Sequence, residues 1–216
     1  MKIGIFGGGF KPFTTGHFSK LSLSLSENDV TYLFYGVSPR MKNSDFLYTG
    51  EMAEKVFDIV KSSLNDRFGD KIIVQKGVPT PLVEIFLLIE RIKDDKDSSD
   101  LLTVYSGKED EHRFTKYINT PHEEKYFGNL VKSNRLLFKS SNICNLTKSM
   151  KNFYPKLSNE KIESLIKVKG SVVRGAILKN DIETVKNYMP SFLFETRYNG
   201  HAASDEIIRA LWGENR

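Results

Sequence analysis

Five short runs rich in β-branched, aliphatic and aromatic residues recur along the chain, separated by segments whose apolar residues fall at helical spacing. Lys2 to Phe6, Val30 to Val37, Ile72 to Gln75, Leu101 to Tyr105 and Arg135 to Phe138 predict strands. Gly7, Gly8 and Gly9 close the first, and Ser106-Gly107 closes the fourth. Gly50 to Leu64 sets Met52, Val56, Ile59, Val60 and Leu64 on one helical face. Pro81 to Ile92 predicts another helix, and the DDKDSSD run after it reads as a solvated loop. Gly16 to about Ser26 is helical only loosely. Three more helices are predicted at Val172 to Leu178, Ile182 to Tyr188 (stopped by Pro190) and Ser204 to Trp212. Asp205 and Glu206 sit in the first turn of the last one, where the helix dipole favours them.

Strand and helix alternate through the first two thirds. That pattern predicts an α/β fold: a Rossmann-like, parallel five-stranded sheet with helices on both faces. The expected organisation is one domain over residues 1–190, with a helical C-terminal extension over 191–216. In such sheets ligands bind where the carboxyl ends of the strands open at a switch in strand order. The loops after the first, second and fourth strands are therefore the ones to search.

Composition narrows the classes. The 216 residues carry 32 Lys+Arg against 27 Asp+Glu, a formal charge of +5. Nine of the bases and two of the acids lie between Lys132 and Lys169, so the excess is concentrated there. Cys144 is the one cysteine, which excludes an internal disulfide framework and a cysteine-based zinc site; it reads as inert. His112, His122 and His201 have no spacing suited to a shared metal, so no metal ligands are assigned. No run approaches the ~20 apolar residues of a membrane helix. A secretory signal pattern is missing at the N-terminus, so a cytoplasmic setting without membrane contact is expected.

The first glycine-rich loop reads GGGFKPFTTGH, residues 7–17. Pro12 breaks the dinucleotide GxGxxG pattern. Gly107-Lys108 is followed by Glu109, which breaks Walker A. The design is still that of a phosphate site. Glycines let backbone approach an anion, Thr14 and Thr15 offer hydroxyls, and Gly16-His17 opens a helix whose amides attract negative charge. By itself His17 could equally be a surface or core histidine, Thr14 a helix cap, Arg174 a surface helix residue, and Lys108 to Asp110 a solvated turn.

This loop resembles the GxFxPxTxGH signature of the nucleotidylyltransferase superfamily, with Thr14 where the HxGH pattern has its first histidine. Gly170-Ser171-Val172-Val173-Arg174 resembles that superfamily's ISSTxxR motif, and LKNDIETVKNYMP is similar to the helix–turn–helix that follows it. Lys169 and Gly170 depart from the motif's earlier serines. The resemblance implies transfer of a nucleotidyl group from an NTP to a phosphate-bearing acceptor, with release of pyrophosphate. It implies catalytic roles for His17, Thr14, Lys11 and Arg174. Nucleotide contacts would come from Gly7, Gly8, Gly9, Phe10, Gly16, Gly107, Lys108, Ser171 and Val173, and acceptor contacts from Arg40 or Lys42. Mg²⁺ is expected with the triphosphate, held mostly by phosphate oxygens and water.

Phe10-Lys11-Pro12-Phe13 is similar to the FQPF run of one group of nicotinamide mononucleotide adenylyltransferases, whereas the loop threonine is shared with phosphopantetheine adenylyltransferase. The leading reading is therefore adenylyl transfer from ATP to NMN, giving NAD. The alternative is a cytidylyltransferase using CTP and a small phosphorylated alcohol. Class I aminoacyl-tRNA synthetases share such loops but need a KMSKS element and extra domains. A non-catalytic nucleic-acid-binding module is the reading from another class, and a homo-oligomer is compatible with either.

Overall fold

The computed structural model describes residues 1–39, 48–95 and 98–212. Its five main strands are all parallel. They are β1 (Lys2–Gly8), β2 (Val30–Tyr35), β3 (Ile72–Lys76), β4 (Leu101–Ser106) and β5 (Leu136–Ser140). The order across the sheet is β3-β2-β1-β4-β5. The chain winds outward from β1 to one edge, then returns to start again at β4. The switch in strand order thus falls between β1 and β4.

The helices connecting these strands are α1 (Thr15–Glu27), α2 (Gly50–Phe68), α3 (Pro81–Asp94), and the short α4 (His112–Thr115) and α5 (Glu123–Phe127). After β5 come α6 (Ile143–Met150), α7 (Asn159–Ile166), α8 (Gly170–Leu178), α9 (Ile182–Tyr188) and α10 (Phe192–Glu195). A small hairpin, β6 (Arg197–Tyr198) with β7 (His201–Ala202), leads into α11 (Ala203–Trp212).

Alternation along the strands divides the core in two. Ile3 and Ile5 of β1, Phe34 of β2, and Leu102 and Val104 of β4 pack under α3, α4 and α5. Phe6, Leu33, Tyr35 and Tyr105 face the other side, under α1, α2 and the C-terminal helices. Gly4 is required on that second face, since a Cβ there would lie 2.1 Å from Ser24 Oγ of α1. Helix starts follow from side-chain caps: Thr49 accepts from the Met52 amide, and Thr80 from the Val83 amide with Pro81 next in line.

Sequence and structure differ mainly in the last third. Helices α6 and α7 fall in the part of the basic stretch after β5, where no element was expected, and α10 and the β6–β7 hairpin were also unexpected. The tail after residue 190 packs into the larger core: Ile207, Leu211 and Trp212 are buried there, and Trp212 Nε1 donates to the Ile177 carbonyl at 2.8 Å. No helix of the described residues is long and apolar enough to cross a membrane.

Candidate active site

The cleft opens where the strand order switches, at the carboxyl ends of β1 and β4. It has two lobes. One is a cavity of about 380 Å³ lined by Gly7, Gly8, Gly9 and Phe10 from β1 and its loop, and by Ser106 to Gly107 after β4. The start of α3 (Thr80, Pro81, Leu82, Ile85) closes it, with Asp110, Arg113 and Phe114 opposite. The other, about 850 Å³, lies between Lys11, Thr14, Gly16 and His17 on one side and Ile166 to Ser171 with Arg174 on the other. Both volumes fall in the range of nucleotide-sized ligand sites.

The larger lobe is built for an anion. The N-termini of α1 and α8 both open onto it, at Gly16-His17 and Gly170-Ser171. Among the described residues, Lys11, Lys20, Lys167, Lys169 and Arg174 line it against a single carboxylate, Glu109. Of the nine basic residues from Lys132 to Lys169, all of them described, Lys167 and Lys169 line this lobe and the other seven do not, so the charge of the stretch as a whole does not face it. The close approach of α1 to the end of α7 depends on Gly16. A Cβ there would stand 2.5 Å from the Ile166 carbonyl oxygen.

His17 is fixed by its own loop. The Thr14 amide donates to His17 Nδ1 at 3.1 Å, and the Thr14 hydroxyl lies 3.0 Å from the same nitrogen. An N–H can only donate, so Nδ1 is the acceptor and the neutral ring carries its proton on Nε2. The ring packs edge-on against Phe10 and stacked with Phe13. Burial, and then the nearby Lys20 ammonium, lower its pKa to about 3. His17 therefore meets the cleft as a neutral hydrogen-bond donor. Phe10 supports it from a strained backbone (φ +29°), held by its ring contacts to Phe6, Phe13 and Tyr35 and by the Tyr35 hydroxyl, which donates to its carbonyl at 2.9 Å.

The two motifs of the sequence meet physically. Arg174 Nη1 donates to the Lys11 carbonyl at 2.7 Å, across 163 positions of chain. Thr15 adds a second tie, its hydroxyl donating to the Tyr188 carbonyl at 3.1 Å. Lys11 Nζ donates to Ser38 Oγ at 3.3 Å.

The expected site residues distribute unevenly. Lys11, Thr14, Gly16, Ser171 and Arg174 line the larger lobe, Gly7, Gly8 and Gly107 the smaller, and Gly9, Phe10 and His17 both. Thr14 is buried with its hydroxyl on His17, which makes it a holder of the imidazole. Val173 is fully buried in the core, and Lys108 lines neither lobe, so the geometry gives neither side chain a place at the ligand. Arg40 and Lys42 lie outside the described residues. Lys20, one turn beyond His17 on α1, and Arg113 were not expected. The i, i+3 spacing from His17 was the available signal for Lys20.

Among the described residues no group of three or more His, Cys, Asp or Glu is placed to cage a metal ion. The carboxylates at the cleft are Glu109 and Asp110. This donor set fits a Mg²⁺ ion brought with the triphosphate and held by phosphate oxygens and water.

No protein-family model matches the chain, and no curated protein does. Solved structures do. A Vibrio parahaemolyticus protein provisionally assigned as a nicotinate-nucleotide adenylyltransferase superposes with a TM-score of 0.52 at 16% identity, covering 96% of this chain and 98% of its own. Plasmodium falciparum nicotinic acid mononucleotide adenylyltransferase, in complex with NaAD, gives 0.47 at 16% identity over 96% and 95% of the two chains. A bifunctional NMN adenylyltransferase/ADP-ribose pyrophosphatase from Francisella tularensis gives 0.39 at 12% identity, over 91% of this chain and 57% of that one. The first likeness is one of fold: a parallel α/β sheet with helices around it, shared over nearly the whole chain.

Proposed function

We propose that this chain is an adenylyltransferase of pyridine-nucleotide synthesis, moving AMP from ATP to a mononucleotide such as NMN or nicotinate mononucleotide. The observation that carries the reading is the two-lobed cleft at the β1/β4 switch, with its larger lobe walled by two helix N-termini and five cations. The likeness of fold to a protein assigned to that reaction supports the choice of acceptor.

In the reaction, an acceptor phosphate oxygen attacks the α-phosphorus of ATP. The P–O bond to the β-phosphate breaks, its electron pair leaves on pyrophosphate, and no covalent enzyme intermediate is needed. Catalysis is then positioning and electrostatic stabilisation. The triphosphate lies in the larger lobe, its β- and γ-phosphates on Ser171 and the first amides of α8. Arg174 clamps them with two guanidinium donors. His17 donates Nε2–H to the phosphoryl oxygens as charge builds on them, and Thr14 keeps that proton on Nε2. The acceptor occupies the smaller lobe, against Leu82, Ile85 and Phe114. Mg²⁺ carried in on the triphosphate would neutralise part of its charge in the larger lobe.

The test is a matrix of ATP or CTP against NMN, nicotinate mononucleotide, phosphopantetheine and glycerol phosphate, read by pyrophosphate release. Release with ATP and a pyridine mononucleotide is the expected result. Release with CTP alone would move the chain to the cytidylyl branch, and none with any pair would remove the catalytic reading.

A further inference from the structure

A reaction between two phosphates brings like charges into contact, so positive charge is needed at the point of bond formation. His17 cannot supply it. Its Nδ1 is committed as an acceptor from the Thr14 amide, and its ring is neutral over the physiological range. Arg174 and Lys169 line only the larger lobe, and Arg113 only the smaller. Among the described residues, Gly9, Phe10, His17, Lys20 and Glu109 line both, and Lys20 is the cation of that set.

Building on the adenylyltransferase reading, we propose that Lys20 is a further catalytic residue, whose ammonium bridges the attacking acceptor phosphate and the α-phosphate of ATP at the junction of the two lobes. Three features place it there. It follows His17 by three residues on α1, so both side chains leave the same helix face toward the cleft. The chain gives it room at Gly107, where a Cβ would stand 3.1 Å from Lys20 Nζ, so the turn after β4 passes directly over the ammonium. Burial lowers the pKa of Lys20, and the carboxylates of Glu109 and Asp110 on that same turn oppose the effect and favour the charged form. Asp110 is also bound to Arg113, 3.1 Å away. Lys20 is thus desolvated and flanked by acids that the incoming phosphates outbid in charge. In the transfer step it holds one non-bridging oxygen of each phosphate while the O–Pα bond forms and the Pα–O bond to pyrophosphate breaks. It gives up no proton.

The bland reading is a lysine that only balances Glu109 and Asp110. Steady-state kinetics on the full chain separate the two. First, wild type is assayed with ATP and each mononucleotide. Lys20→Met should then lower kcat by about 10²-fold or more while the KM of each substrate moves less than about tenfold, because the charge acts mainly in the transition state. Lys20→Arg, which keeps the charge, should recover at least a tenth of wild-type kcat. Chemical rescue gives a readout that folding alone would not move. Lys20→Cys in a Cys144→Ser background should be nearly inactive and regain at least tenfold on aminoethylation, which rebuilds an ammonium at the same reach. It also stands in for Lys20→Met if that variant fails to fold. Lys20→Met with kcat within about threefold of an active wild type would overturn the assignment of Lys20 alone, as would aminoethylation without rescue. An inactive wild type would overturn the adenylyltransferase reading, and this proposal with it.

Discussion

The neutral state of His17 makes a prediction about stability that needs no substrate. The ordinary histidine pKa of 6.5 falls to about 3 in the folded chain, through burial first and Lys20 second. A histidine with a depressed folded pKa gives up its proton on folding. Between the two values the unfolded chain binds more protons, so stability falls as pH falls through that window and is fully present above it. The slope is about 1.4 kcal/mol per pH unit. From pH 7 to pH 5 only the part below 6.5 counts, giving about 2 kcal/mol; the residue lines the open cleft and is only half-buried, so this is an upper limit. In a chain of this length that corresponds to about 4–8 °C in melting temperature. Carboxylates titrate in the same range, so the informative quantity is a difference. His17→Asn keeps an acceptor for the Thr14 amide and removes the titrating ring. Urea unfolding of both proteins at pH 7 and pH 5 should show wild type losing more than the variant, by up to that amount. ¹⁵N spectra of the imidazole should show an Nε2-protonated ring that does not titrate between pH 5 and 8. A His17 signal titrating near 6.5, with parallel pH profiles for the two proteins, would refute the tautomer and its origin.

Three further outcomes follow from named contacts. Arg174→Ala removes the charged donor to the Lys11 carbonyl and the phosphate clamp, so kcat should fall by about 10²-fold. Its melting point should also drop, since a hydrogen bond to a charged group is worth about 1.5–3 kcal/mol. Gly16→Ala drives a Cβ to 2.5 Å from the Ile166 carbonyl, and overpacking of that kind costs about 1–3 kcal/mol, seen as a lower urea midpoint with reduced ATP affinity. Trp212→Phe leaves the Ile177 carbonyl without its indole donor at 2.8 Å, and unfolding should lose about 1–3 kcal/mol, which checks that the tail helix belongs to the main core.

The sheet was legible because its signal is local. Each of β1 to β5 is a short apolar run ended by Gly, Ser or a charge, and all five came within two residues of their observed bounds. Helices α6 and α7 were hidden for a physical reason. Each has only eight residues, too short to hold by itself, and their apolar residues (Leu146 and Met150; Ile162, Leu165 and Ile166) gain stability from packing on α1. Their caps were visible in principle: Asn142 accepts from the Asn145 amide and Ser158 from the Lys161 amide. The site divides in the same way. The GGGFKPFTTGH loop and Arg174 could be read because residue type and spacing are both constrained there. Lys20, Arg113 and the α3 start reach the cleft through tertiary placement. Val173 matched the motif by position, yet its helix face turns it into the core.

The central claim, adenylyl transfer, is tested most directly by following the α-phosphate of ATP. Purified protein with α-labelled ATP, Mg²⁺ and either NMN or nicotinate mononucleotide should yield a dinucleotide carrying the label, with unlabelled pyrophosphate in equal amount. Label left in ATP after long incubation at high enzyme, or found in ADP or free AMP without dinucleotide, would contradict it.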